Sequence, residues 1–144
     1  MEALKTTFPG PEAPEKMSIL AIDDETSIRK LLNFTLKEKF QVIEKRNGME
    51  AMIWLEDGNV PDLIVTDIEM PEMNGYTLVE ILRNSGFYKE IPIIMLSARE
   101  KSEERIKCLE LGADDYMIKP FNPHELKLRI ARLMEHIKRY KYHA

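Results

Sequence analysis

Short apolar runs alternate along this chain with longer stretches in which apolar residues recur every three or four positions. The runs Ser18-Ile19-Leu20-Ala21-Ile22, Leu63-Ile64-Val65-Thr66-Asp67 and Ile93-Ile94-Met95-Leu96 are continuous and rich in β-branched residues. That pattern predicts strands covered on both faces, as in parallel sheets. Weaker runs at 40–46, through Val42 and Ile43, and at 116–118 complete a set of five. Between them, Ile28, Leu31, Leu32 and Leu36 keep helical spacing. So do Ala51, Met52 and Leu55 after Asn47, and Leu78, Ile81 and Leu82 after the loop Met70-Pro71-Glu72-Met73-Asn74-Gly75. The stretch 102–111 offers only Ile106, Leu109 and Leu111 as an inward stripe, which predicts a lightly anchored helix. Asn122, Pro123 and Glu125 give a cap, a first-turn proline and a capping-box acid for a last helix along Leu126, Ile130, Leu133, Met134 and Ile137. Five strands alternating with five helices imply an α/β fold with a doubly wound parallel sheet.

Length agrees with one domain: 144 residues can bury roughly 68 to 70% of the unfolded surface. Residues 1–16, with Pro9, Pro11 and Pro14, read as a disordered tail before a domain over 17–142. A net charge of -4 argues against direct nucleic-acid binding. The single cysteine, Cys108, excludes a disulfide framework and reads as a small core residue in a cytoplasmic protein. No apolar run approaches the ~20 residues a bilayer needs.

The strands end in polar chemistry. The first stops on Asp23-Asp24, the third on Asp67, the fourth on Ser97, and the fifth leads into Lys119-Pro120-Phe121. In a parallel sheet these residues share one edge, where ligands of open α/β sheets bind. Singly, each has an ordinary role as a turn cap or a solvated amine; together, at separate strand ends, they make a site. Two like charges about 4 Å apart repel by ~4 kcal/mol at an effective dielectric of 20, so grouped carboxylates call for a cation or shifted pKa values. Magnesium, or manganese, suits an all-oxygen site that also holds a phosphoryl group.

In order along the chain, Asp23-Asp24, Asp67 with Met70-Pro71-Glu72-Met73-Asn74-Gly75, Ser97-Ala98 and Lys119-Pro120-Phe121 resemble the receiver domain of two-component response regulators. The resemblance runs from about 17 to about 139 and implies a flavodoxin-like sheet of order 2-1-3-4-5. It implies that Asp67 accepts a phosphoryl group from a histidine kinase or phosphotransfer protein. Asp24, Asp67 and the main-chain carbonyl of Glu69 would hold Mg2+ (or Mn2+) directly, with Asp23 acting through water. Lys119 and Ser97 would assist, Ser97 and Tyr116 would form the switch, and the Lys119-Pro120 bond would be cis. Glu69 and Arg99 occupy positions that tune phosphoryl lifetime, and their opposite charges are expected to pair and hinder water.

The resemblance also implies a signalling switch acting on itself rather than an enzyme with external substrates. Its response would appear on the face of the fourth helix, fifth strand and fifth helix, a possible homodimer surface. Two rivals are a magnesium-dependent phosphatase with an aspartyl nucleophile and an interaction module that has lost phosphorylation. The phosphatase usually places its nucleophile after the first strand and a second acid two residues on, a position that Glu69 meets only loosely.

Overall fold

A computed structural model describes residues 16–143, with side chains through 136. The expected tail lies outside the described residues apart from Lys16, and so do the side chains from Ile137 onward. Strands and helices alternate as β1 (Ser18–Ile22), α1 (Thr26–Leu36), β2 (Gln41–Lys45), α2 (Gly48–Glu56), β3 (Leu63–Asp67), α3 (Gly75–Arg83), β4 (Ile93–Ser97), α4 (Ser102–Leu111), β5 (Asp115–Ile118) and α5 (Pro123–His143). All strand pairs are parallel and the sheet order is β2-β1-β3-β4-β5, the expected architecture. Strand order reverses beside β1, so a crevice opens where the carboxyl ends of β1 and β3 adjoin.

Alternation along the strands divides the core in two. Leu20, Ile22, Ile64, Ile93 and Met95 pack with Ala51, Leu55, Leu78, Val79, Leu82 and Cys108. Ile19, Ala21, Val65, Ile94 and Leu96 face the other way, onto Leu32, Leu36, Leu126 and Ile130. Helices therefore cover both faces, which is why the inner strands read as unbroken apolar runs. Each buried Leu or Ile contributes about 1.5–3 kcal/mol.

Asparagine opens three of the helices. Asn47 Oδ1 accepts the Glu50 amide at 2.9 Å, Asn74 Oδ1 the Thr77 amide at 2.9 Å, and Asn122 Oδ1 those of His124 and Glu125 at 2.9 and 3.2 Å. Such caps are each worth about 1 kcal/mol.

Two inward stripes differ from expectation. Ile81 is 39% exposed and Val79 takes its place in the core. On α4, Ile106 and Leu109 are half exposed, Leu111 is only partly buried, and the one residue of the helix fully inside is Cys108. Ile106 stands two residues before Cys108, about 200° round the helix, so both cannot face the sheet. The preceding Lys101 makes no side-chain cap, which leaves α4 lightly held at its start. Its far end is firmer: Gly112 is left-handed at φ 111, and the Ala113 amide donates to the Cys108 carbonyl at 3.0 Å. Burial pushes the Cys108 thiol up to about 11, with the Glu104 charge adding. A neutral buried thiol packs as a small hydrophobe, as expected.

Candidate phosphoryl and metal site

Strand register carries the polar residues to one edge. Ile22 pairs with Thr66, so the next residues, Asp23 and Asp67, emerge on adjacent strands. Asp67 pairs with Leu96 and Ser97 with Ile118, so Ser97 and Lys119 follow one step later. The chain then leaves Asp67 through a tight loop: the Gly75 amide donates to the Ile68 carbonyl at 2.8 Å, and a Cβ on Gly75 would stand 2.4 Å from the Asp67 carbonyl oxygen.

Carboxylate oxygens of Asp23, Asp24 and Asp67 all lie within 4.8 Å of one another. Asp23 is fully buried, Asp67 is 5% exposed, and Asp24 faces solvent. Lys119 Nζ lies 3.2 Å from Asp67 Oδ1 and 3.1 Å from Asp23 Oδ2, with Glu25 Oε1 at 3.9 Å. Amides satisfy the acids further: Ile68 N–H donates to Asp67 Oδ1 at 2.8 Å and Glu25 N–H to Asp23 Oδ1 at 2.9 Å. Arg29 braces the end of β1, donating to the Asp23 main-chain carbonyl at 2.8 Å while its Nε lies 3.8 Å from Glu44.

One ammonium does not balance these acids. Burial first, and the Asp23 charge second, raise Asp67 from 3.8 to about 7, against Lys119 and the Ile68 amide. Burial raises Asp23 as well, against the Glu25 amide and Lys119. For Lys119, burial favours the neutral amine, yet the charges of Asp67 and Asp23 outweigh it and the ammonium form is strengthened. An all-oxygen cluster with surplus negative charge, one member open to solvent, fits a hard divalent cation.

The cluster opens into a cavity of about 200 Å³ lined by Asp24, Asp67, Ser97, Arg99 and Lys119 among others. Ser97 is 3% exposed; its Oγ donates to Glu104 Oε1 and accepts the Arg99 amide at 3.0 Å. Tyr116 lies behind it, 7% exposed, with its hydroxyl donating to the Arg99 carbonyl at 2.7 Å. Burial raises that phenol, with Ser97 opposing. Across the mouth, Arg99 Nη2 meets Glu69 Oε1 at 2.8 Å, both side chains more than half exposed. The Lys119-Pro120 bond is cis.

The structure thus gathers Asp24, Asp67, Ser97, Lys119, Glu69 and Arg99 around one opening, with Asp23 buried beside Asp67 and the Tyr116 hydroxyl on the Arg99 carbonyl. Sequence reasoning missed Glu25, Arg29 and Glu104. Glu25 directly follows the acid pair and could have been read as part of it. Glu104 stands four residues before Cys108, and only the phase set by that buried residue separates it from its neighbours Glu100 and Glu103.

A family model described as the response regulator receiver domain matches residues 19–131. The chain belongs to that family. This receiver domain is 42% identical over 121 residues to a probable transcriptional regulator, ycf27, of Porphyra purpurea, covering 83% of this chain and 48% of the relative. It is 38% identical over 120 residues to the phosphate regulon transcriptional regulatory protein PhoB of Escherichia coli (strain K12), covering 83% and 52%. The chain therefore spans about half the length of the curated relatives it matches. Among solved structures, the chemotaxis response regulator CheY4 of Vibrio cholerae superposes with a TM-score of 0.76 at 32% identity, covering 82% of this chain and 98% of that one. Among the described residues of the receiver, no helix is long and apolar enough to cross a membrane.

Proposed function

We propose that this receiver is the phosphorylation switch of a two-component relay, and that Asp67 is its phosphoryl acceptor. The observation that carries the reading is the buried Asp67 carboxylate, 3.2 Å from Lys119 Nζ and grouped with Asp23 and Asp24. A carboxylate oxygen of Asp67 forms a bond to phosphorus as the bond to the donor's histidine nitrogen or leaving oxygen breaks. Charge spreads over the equatorial oxygens in that transition state, so a preset cation is the main catalytic device. Lys119 supplies it from the protein.

Mg2+ (or Mn2+) would be held by Asp24, Asp67 and the Glu69 carbonyl, with Asp23 acting through water. When bound it offsets charge on the acids and the phosphoryl oxygens. Ser97, at the cavity wall, would then donate to a phosphoryl oxygen, and Tyr116 would follow the movement. The readout is the face of α4, β5 and α5, which would form a homodimer or meet a partner; the phosphodonor is a histidine kinase or phosphotransfer protein in the cytoplasm. The signalling unit is the domain over 17–142.

Incubation with acetyl phosphate and Mg2+, followed by intact-mass measurement, tests the reading. One added phosphoryl group is expected, absent in Asp67→Asn and in the presence of a chelator. Steady turnover of a phosphomonoester, or no uptake at all, would overturn it.

A further inference from the structure

Glu104 is the side chain that holds Ser97, and the expected switch leaves it without a role. A serine hydroxyl carries one proton. Ser97 Oγ gives that proton to Glu104 Oε1 and accepts the Arg99 amide, so in this arrangement it has nothing to donate to an anion on Asp67. The hydroxyl also stands on a boundary. Ser97 lines the cavity over Asp67, while Glu104 lines a neighbouring one of about 580 Å³ with Tyr76 and Arg99.

Glu104 lies in the first turn of α4, the turn without a side-chain cap. Residues four apart share a helix face, and the residue four positions on is Cys108, the buried anchor of this helix. Glu104 and Cys108 are thus successive inward contacts, one polar and one apolar. Resting on the reading of Asp67 as phosphoryl acceptor, we infer that Glu104 competes with the phosphoryl group for the proton of Ser97. It is a positioning residue. Its carboxylate keeps the hydroxyl and the first turn of α4 in the unphosphorylated arrangement, and it is released when a phosphoryl oxygen takes the hydrogen bond. Both rivals are anionic oxygens and both make the stronger, charge-assisted kind of bond. The exchange trades one charge-assisted bond for another, so removing the carboxylate biases it toward the phosphoryl oxygen.

The test is a titration of the 144-residue chain with beryllium fluoride and Mg2+, followed by amide NMR signals near residue 97. Glu104→Ala is expected to lower the midpoint roughly ten- to a hundredfold, the scale of one hydrogen bond to a charged group. Glu104→Gln, which keeps a weaker neutral acceptor, should fall between. Removing a negative charge near an anion site also favours binding, so the same substitution is made in a Ser97→Ala background, where there is no proton to contest. Competition predicts that most of the gain vanishes there. An equal gain in both backgrounds, or no gain with Ser97 present, overturns the role of Glu104 while leaving Asp67 as acceptor. If the unaltered chain neither binds beryllium fluoride nor gains a phosphoryl group, the acceptor reading itself falls and this inference falls with it.

Discussion

Lys119 Nζ stands 3.2 Å from Asp67 Oδ1 on a path that solvent scarcely reaches: the lysine side chain is 9% exposed and the aspartate side chain 7%. Asp67 ends β3 and Lys119 directly follows β5, strands that β4 separates, yet the pair is the electrostatic centre of the edge. Removing the lysine leaves Asp67 and Asp23 buried without their cation, which costs about 3–5 kcal/mol, whereas Lys119 would still keep Asp23 at 3.1 Å if Asp67 were neutralised. Lys119→Met should therefore lose several kcal/mol at pH 8 in chelator, read from urea midpoints. Acidification toward pH 5, which neutralises Asp67, or addition of Mg2+ should restore part of the loss. Equal losses under all three conditions would mean that the lysine matters only for packing.

The acid itself works against folding when ionised. Asp67 rises from 3.8 to about 7 on folding, chiefly through burial. The native state therefore holds its proton where the unfolded chain has released it. This contribution to stability is complete below about pH 4 and is lost as pH climbs through about 7. Asp67→Asn removes the penalty. Without divalent ions, the variant should exceed the unaltered protein by a few kcal/mol at pH 8, and by little at pH 4. A gap independent of pH would contradict the assignment.

Glu69 and Arg99 face each other at 2.8 Å across the mouth, both more than half exposed. Exposed pairs contribute only ~0–1 kcal/mol to stability, so any role lies in access to Asp67. Glu69→Ala with Arg99→Ala should leave the thermal midpoint nearly unchanged and shorten the life of the phosphoryl group. Radiolabel decay measures this, and an unaltered rate rejects a gate made by the pair.

Gly75 is where the loop after Asp67 turns into α3, and its missing side chain is a requirement of space. A Cβ there would meet the Asp67 carbonyl oxygen at 2.4 Å and Ile68 Cα at 3.0 Å, both backbone atoms that cannot step aside. Gly75→Ala should cost about 1–3 kcal/mol or more. It should also weaken Mg2+ binding, because the backbone it displaces positions Asp67. Unchanged urea and Mg2+ midpoints would show that the loop can adapt.

Most of the sheet was legible because buried parallel strands leave unbroken apolar runs, and the site because four such runs end in acids, a hydroxyl and an amine. The helices were harder to read. On α3, Val79 and Ile81 are equally apolar, and only the phase set by Leu78 and Leu82 decides which one is buried. On α4 the larger side chains Ile106 and Leu109 drew attention from Cys108, whose small size suits close approach to the sheet. That error of phase also hid Glu104: reading position 108 as inward would have turned position 104 inward too. Arg29 is a charged residue between the apolar positions of α1, and its reach back to the Asp23 carbonyl depends on tertiary contacts.

Arg83 donates to the main-chain oxygens of Gly112 at 2.7 Å and Ile91 at 2.6 Å, and pairs with Asp114 at 2.8 Å. It rivets the closing turn of α4 to the neighbouring helix and to the entrance of β4. Toward the opposite extremity, Glu104 grips Ser97. A rod clamped at one tip and latched at the other can swing but cannot slide. Were Glu104 to let go of Ser97, the freedom left to the helix would be a tilt that grows with distance from Gly112.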